Sequence, residues 1–272
     1  MERCLGLMSG AGALPGRAAA EARRQGWRVV AFAFDDAPGL SESADLVVPS
    51  RLTDIQSVLG SIEGERVEAA LFVGKFWKQD ALAQVHDADD AGRRLAGSGL
   101  SDAALSAMVL QTLGALGVRV LDQRLFLGPW LFDAPSLTPR APSEAEWQEI
   151  RAGWGLCRSL AAHGIGQTIV RSHGVTVAVE AAEGTDETIR RGTALAGPGA
   201  VVVKAVAADH DYRFDIPTIG PTTLEVMASG GAAVLAVPRR KVLLVEREVV
   251  VGLAERAGIA LIGIDEGRDG GL

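Results

Sequence analysis

Only two cysteines, Cys4 and Cys157, occur in the 272 residues of this chain. Two thiols so far apart build no disulfide framework, so the fold must rest on a hydrophobic core, in a reducing compartment. There is no CxxC pair, and the four histidines, His86, His163, His173 and His210, lack metal-ligand spacing such as HExxH. No GxSxG segment offers a nucleophile elbow. No apolar run reaches the roughly 20 residues needed to span a bilayer. Glu225 interrupts the best candidate, 220–237. The opening MERCLGLMSG lacks the basic start and apolar core of a signal peptide. These absences predict a soluble, cytoplasmic protein. Basic charge is also short: 27 Lys and Arg against 34 Asp and Glu leave a net charge of −7. An acidic chain is not built for nonspecific binding to nucleic acid.

What is present is ordinary globular material. Hydrophobic residues make up 48% and charged residues 22%, which rules out disorder as the main state. At roughly 150 residues per domain, the length allows one large domain or two small ones. There is no internal repeat and no low-complexity tract. Many of the 33 glycines flank apolar segments, as the tight connections of an α/β protein require.

The pattern predicts a strand over 5–8, a Gly10-x-Gly12 turn, a helix over 15–25 with Pro15 in its first turn, and a strand over 28–34. A short strand over 45–49, a helix over 53–62 and a strand over 69–73 follow. Helices are expected near 79–94 and 101–116, then a strand over 118–121. This alternation predicts a Rossmann-like parallel sheet over 1–122. Four prolines between 123 and 142 mark a linker, and Phe126, Trp130, Leu131 and Phe132 argue that it is packed. A second α/β domain of distinct fold spans 143–272. It opens on a helix over 143–163, with Ser143 and Glu146 spaced as a capping box. A hairpin over 167–171 and 175–180 turns at Ser172-His173-Gly174. A short helix over 186–191, a buried strand over 200–206, a helix over 221–229 and a strand over 232–237 come next. A short strand over 242–245, a helix over 246–257 and a strand over 259–264 complete the chain.

Three places suit chemistry. Gly10 and Gly12, between a strand and a helix, would let a backbone approach a phosphate, although Pro15 stands where a dinucleotide fingerprint has its third glycine. Asp35 or Asp36, ending the next strand, suits ribose hydroxyls. Lys75, after a strand ending in Val73-Gly74, lies at the sheet edge where ligands bind and suits a diphosphate. The richest place is a pair of carboxylate clusters. One is Glu180-Ala-Ala-Glu183-Gly184-Thr185-Asp186; the other runs from Asp209 through Asp211, Arg213 and Asp215 to Thr218 and Gly220. Mg²⁺ is commonly held by one or two carboxylates plus phosphate oxygens, and an arginine beside them clamps phosphate. Gly220-Pro221-Thr222 opens a helix and so makes a second anion site.

These stretches resemble a known family, the LpxI-type UDP-2,3-diacylglucosamine pyrophosphatases of lipid A biosynthesis. The resemblance is carried by GLMSGAGALP (6–15), RVVAFAF (28–34), FVGK (72–75), HGIGQTIV (163–170), AVEAAEGTDETIRRG (178–192) and DYRFDIPTIGPTTLEVMASGG (211–231). It implies a Rossmann-like N-terminal domain, a C-terminal domain of its own fold and a ligand between them. It also implies Mg²⁺- or Mn²⁺-dependent hydrolysis of the UDP-sugar diphosphate to UMP and 2,3-diacylglucosamine 1-phosphate, lipid X. The family's essential aspartate aligns with Asp215. Glu183, Thr185 and Asp186 stand in its EGTD motif, and Gln167 in its GQT stretch. The sequence departs from the family at Phe76-Trp77-Lys78-Gln79, at Leu100-Ser101-Asp102 and at Gly164.

The combined reading makes Asp215 the catalytic residue and a metal ligand, with Asp186 and Asp211 as further ligands. Gly10, Gly12, Lys75, Gln167, Glu183, Thr185, Arg213, Thr218, Gly220 and Thr222 are the expected substrate contacts. The linker serves as a hinge, and 126–132 supplies an acyl groove. The expected partner is the lipid-linked UDP-sugar; peripheral contact with the inner membrane and a homodimer stay open. Two other readings remain: a hydrolase of another nucleotide-sugar, and a noncatalytic nucleotide-binding sensor.

Overall fold

The computed structural model describes residues 3–76 and 102–265. The helix expected near 79–94, which holds His86, lies outside the described residues, as does Trp77. The chain divides into two compact units: Met1–Leu127 with Asp211–Asp215, and Gly128–His210 with Ile216–Leu272.

In the first unit, β1 (Arg3–Ser9) leads to α1 (Leu14–Arg24), β2 (Trp27–Ala33), α2 (Leu40–Ser43) and β3 (Leu46–Pro49). Next come α3 (Ile55–Gly64), β4 (Ala69–Val73), α4 (Asp102–Ala115), β5 (Arg119–Val120) and α5 (Arg124–Leu127). All strand pairs are parallel, in the order β3-β2-β1-β4-β5. β1 is buried at every position after Arg3, as a central strand covered on both faces must be. Ala18, Ala19 and Ala22 present a small, fully buried stripe on α1, which lets the helix approach the sheet closely. Asp54 Oδ1 accepts from Ser57 N at 3.2 Å and starts α3. The chain winds outward from β1 to β3 and then returns to the other side of β1 as β4. The strand order therefore reverses between β1 and β4.

The second unit opens on α6 (Glu144–Ala162), which has both arms of the capping box. Ser143 N donates to Glu146 Oε2 at 2.7 Å, and Glu146 N to Ser143 Oγ at 3.3 Å. β6 (Thr168–Ser172) and β7 (Val175–Val179) form the expected hairpin. Positive φ at His173 (50°) and Gly174 (80°) matches the right-handed twist of the flanking strands. α7 (Thr185–Ala196), β8 (Val201–Lys204), β9 (Thr218–Ile219) and α8 (Pro221–Ser229) follow. β10 (Val234–Pro238), β11 (Leu243–Leu244), α9 (Arg247–Ala257) and β12 (Ala260–Ile264) end the described chain.

The main sheet runs β12-β10-β8-β6-β7; β8, β10 and β12 are parallel, and β6 is antiparallel to both neighbours. Ile150, Trp154 and Cys157 of α6 pack one face, on Ile169, Val201, Val203 and Ile262. Ile189, Leu224, Met227 and Val250 of α7, α8 and α9 pack the other, on Val170, Val202, Leu235 and Leu261. This is a three-layer α/β arrangement with two apolar seams.

Two expectations need correction. The stretch 126–132 offers no acyl groove through its phenylalanines. Phe126 is buried edge-on against Trp27, 6.3 Å between ring centres, and Phe132 is buried in the second unit's core. Residues 211–215, read from sequence as part of the C-terminal domain, group with the first unit. Gln123 N donates to Tyr212 O at 3.0 Å, the Arg124 guanidinium lies 3.7 Å from the Tyr212 ring centre, and the Phe214 ring lies 5.3 Å from that of Phe72.

Candidate functional site

In the first unit, the turn after β1 and the turn after β4 are stitched together. Gly10 N donates to Val73 O at 2.9 Å and Ala11 N to Lys75 O at 2.9 Å; Lys75 N returns a bond to Ala11 O at 3.0 Å. Gly12 N donates to Asp36 O at 3.1 Å. The N–H groups of residues 10, 11 and 12 are thus all given to carbonyls. The glycines serve a close backbone crossing at the strand-order reversal. A Cβ on Gly10 would lie 2.4 Å from Lys75 O, and one on Gly74 (φ 101°) 2.7 Å from Gly10 O. Gly12 needs its φ of 103° but has open space around it. Lys75 is exposed. Asp35 Oδ1 accepts from Asp36 N at 2.7 Å and so braces its own turn.

The 211–215 segment carries three of the expected site residues. Asp211 and Arg213 are spent largely on each other: Arg213 Nε donates to Asp211 Oδ1 at 2.9 Å and Nη2 to Oδ2 at 2.8 Å. Arg213 N adds a third bond to Oδ1 at 3.0 Å. The pairing raises the Arg213 pKa further above its ordinary value. Asp215 is exposed.

In the second unit, the edge at which β8 ends gathers a polar corner inside an otherwise apolar layer. Lys204, the last residue of β8, is only 4% exposed. Its Nζ donates to Thr185 Oγ1 at 2.8 Å and to Thr168 Oγ1 at 3.2 Å. Thr185 Oγ1 donates in turn to Glu180 Oε1 at 2.9 Å, and Gln167 N donates to Glu180 Oε2 at 3.2 Å. Thr185 is the first residue of α7, whose N-cap is Gly184 (φ 83°), so no side chain caps that helix. Thr223, in the first turn of α8, donates from Oγ1 to Asp186 Oδ1 at 2.8 Å. The α8 N-cap is Gly220, again without a side-chain cap, and Thr222 is exposed.

Glu183 braces the turn before α7. It accepts from Ala181 N at 3.2 Å, Thr188 Oγ1 at 3.3 Å and Arg191 Nη2 at 2.8 Å. Backbone N–H bonding, its own amide first, and the Arg191 guanidinium hold its carboxyl below the usual glutamate range. Thr218 Oγ1 donates to Ile216 O at 3.0 Å. Beneath the corner, Cys157 Sγ donates to Gln167 O at 3.2 Å, and burial pushes the thiol pKa up to about 12.

The structure therefore brings Gln167, Thr185 and Asp186 to one corner, and Gly10, Gly12 and Lys75 to one seam. Asp215 and Asp211 belong to the first unit and Asp186 to the second. Among the described residues, no group of three or more His, Cys, Asp or Glu is placed to hold a metal ion. Sequence reasoning passed over Lys204 and Thr223. A lysine closing the apolar run AVVVK was the available signal for the first. No local pattern marks the second.

The architecture and these polar features define a two-unit α/β protein, one unit doubly wound and parallel, the other mixed. The chain belongs to the LpxI family: the LpxI N-terminal domain matches residues 4–129 and the LpxI C-terminal domain residues 133–262. It is 28% identical over 284 aligned positions to the UDP-2,3-diacylglucosamine pyrophosphatase LpxI of Caulobacter vibrioides, covering 97% of this chain and 98% of that protein. Among solved structures, similarity is found to a UDP-glucose-4-epimerase from Stenotrophomonas maltophila, with 18% identity over 43% of this chain and 35% of that one, at a TM-score of 0.28. It is also found to glycinamide-RNase-transformylase T from Mycobacterium tuberculosis, with 20% identity over 66% and 44% of the two chains, at a TM-score of 0.25.

Proposed function

We propose that this protein hydrolyses the diphosphate of UDP-2,3-diacylglucosamine, giving UMP and 2,3-diacylglucosamine 1-phosphate, with Mg²⁺ or Mn²⁺ as cofactor. The observation that carries this reading is the match to the Caulobacter pyrophosphatase across nearly the whole of both chains. In the reaction, water adds to phosphorus, the anhydride P–O bond breaks, and the leaving phosphate keeps the electron pair.

The donor chemistry suits a hard cation, which takes carboxylate oxygens and completes its shell with phosphate oxygens and water. Asp215, exposed in the first unit, would offer a carboxylate to such a cation. Asp211 fits poorly, because both of its oxygens already accept from Arg213. When bound, the cation supplies neutralisation of charge developing on the diphosphate.

The chain's own contributions follow from the corner of the second unit. The first turns of α7 and α8 present helix N-termini without side-chain caps, an arrangement that favours phosphate oxygens. Lys75, exposed, adds positive charge in the first unit, whereas the Arg213 charge is matched by Asp211. Asp215 orients the attacking water or holds the cation. Among the described residues, no helix is long and apolar enough to cross a membrane. A substrate with two acyl chains is met at the membrane surface, so peripheral contact accompanies this reading.

The test is Asp215→Ala and Asp215→Asn with this substrate and Mg²⁺. Each should lower kcat on the order of 10³-fold or more while circular dichroism and the unfolding midpoint stay unchanged. Wild-type kcat in either variant contradicts the role given to Asp215. Nucleotide binding without cleavage by the wild-type protein would favour the sensor reading.

A further inference from the structure

Lys204 carries a charge into the interior, and among the described residues no carboxylate bonds to it directly. Lysine is almost never fully buried unless paired. Here the two hydrogen bonds of the ammonium among the described residues both go to hydroxyls, of Thr185 and Thr168. The carboxylate of Glu180 stands one hydroxyl further on, bonded to the Thr185 hydroxyl. An apolar side chain filling the end of β8 would serve stability as well or better, because desolvating an ammonium is costly. The lysine therefore needs a reason other than packing.

The direction of the bonds supplies one. An ammonium only donates, so the Thr185 oxygen accepts from Lys204; its single proton goes to Glu180, and the Thr168 hydroxyl, 3.3 Å away, is left to donate to it. Bonds aligned head to tail in this way strengthen one another. They hold the side chain of Thr185, the first residue of α7, and place a positive charge 2.8 Å from its hydroxyl oxygen. The next residue, Asp186, is fastened to α8 by Thr223. One buried cation thus braces the turn on which the expected diphosphate contacts stand.

We propose that Lys204 is a positioning residue for the diphosphate hydrolysis, acting through the Thr185 hydroxyl to hold the first turn of α7 in the geometry that the reacting phosphates require. This rests on the function proposed above.

The test uses the full chain, UDP-2,3-diacylglucosamine and Mg²⁺, and compares Lys204→Met, Thr185→Val, Thr185→Ser and the Lys204→Met/Thr185→Val double variant. Outer-sphere partners of a reacting site are typically worth 10- to 100-fold. Lys204→Met and Thr185→Val should each lower kcat by about that factor, with KM changed less than about threefold. Thr185→Ser keeps the hydroxyl and should retain most of the wild-type kcat. The double variant should be no worse than the poorer single, because Lys204 acts through the Thr185 hydroxyl.

A folded Lys204→Met protein with wild-type kcat overturns the proposal, and so do additive losses in the double variant. If Lys204→Met does not fold, Thr185→Val against Thr185→Ser decides: equal activity of the two overturns it. An inactive wild-type protein sinks the underlying function; an active wild type with active variants sinks the role of Lys204 alone.

Discussion

The Thr223 hydroxyl donates to Asp186 Oδ1 at 2.8 Å, so the first turns of α7 and α8 are fastened to each other. The two residues lie 37 positions apart in sequence. The bond gives Asp186 one fixed oxygen and leaves its position dependent on a side chain from another helix. Thr223 is only 6% exposed, and a hydrogen bond to a charged acceptor in such a place is worth about 1.5–3 kcal/mol. Thr223→Val should lose about that much stability in urea unfolding and roughly tenfold in kcat. Thr223→Ser should restore both. A Thr223→Val protein with unchanged stability and turnover would show that the two helix starts are held by other means.

The seam between the β1 and β4 turns predicts an order among glycine variants. Gly10→Ala drives a methyl against the Lys75 carbonyl, a backbone group that cannot swing aside, and should cost about 1–3 kcal/mol. Gly74→Ala adds a left-handed φ to a similar clash and should cost more. Gly12→Ala meets open space and should cost only about 1 kcal/mol, from its positive φ. Urea unfolding of the three variants checks the order, and a harmless Gly10→Ala would contradict it.

The two thiols should be silent in the native protein. Cys157 is fully buried with its pKa pushed up to about 12, and burial raises that of Cys4 as well. At pH 8, iodoacetamide should modify neither residue until denaturant is added. Mass spectrometry of the intact protein reads this directly. Native labelling of Cys157 would contradict the packing of α6 on the sheet.

Glu183 predicts a sign for the acid limb of stability. Its folded pKa lies below the ordinary value of 4.5, so the folded state binds fewer protons between the two values. Its contribution is present above pH 4.5 and is lost as pH falls through the lower, folded value. Glu183→Gln should be less stable than wild type at pH 7, and the difference should shrink below pH 4.5. Unfolding midpoints at pH 7 and pH 3 test this; a gap that widens in acid would contradict it.

Much of this protein was legible in its sequence, for identifiable reasons. β4 and α8 match the residues expected of them, 69–73 and 221–229, because β4 is an unbroken apolar run ended by Gly74 and α8 lies between Gly220 and Gly230. The Ser143 capping box and the His173-Gly174 turn were legible because their chemistry is local. α7 runs on to Ala196, beyond the expected 191, because Gly192 lies within the helix, packed closely on Val170, and the C-cap is Gly197. What stayed hidden was tertiary. Gly10 reads as a phosphate-approach glycine until its backbone is seen to cross that of Gly74. The Phe126 and Phe132 rings read as a groove until each is found in a core. Asp211 and Arg213 read as ligand and clamp until they are seen to pair. Lys204 was lost inside a strand because its partners, Thr168 and Thr185, come from other elements.

The central claim is the reaction, and phosphorus NMR of the purified protein with UDP-2,3-diacylglucosamine tests it most directly. With Mg²⁺, the two diphosphate resonances should give way to those of UMP and the sugar 1-phosphate, and chelator should stop the conversion. Persistence of the diphosphate in saturating Mg²⁺, or its conversion to UDP, would contradict the account.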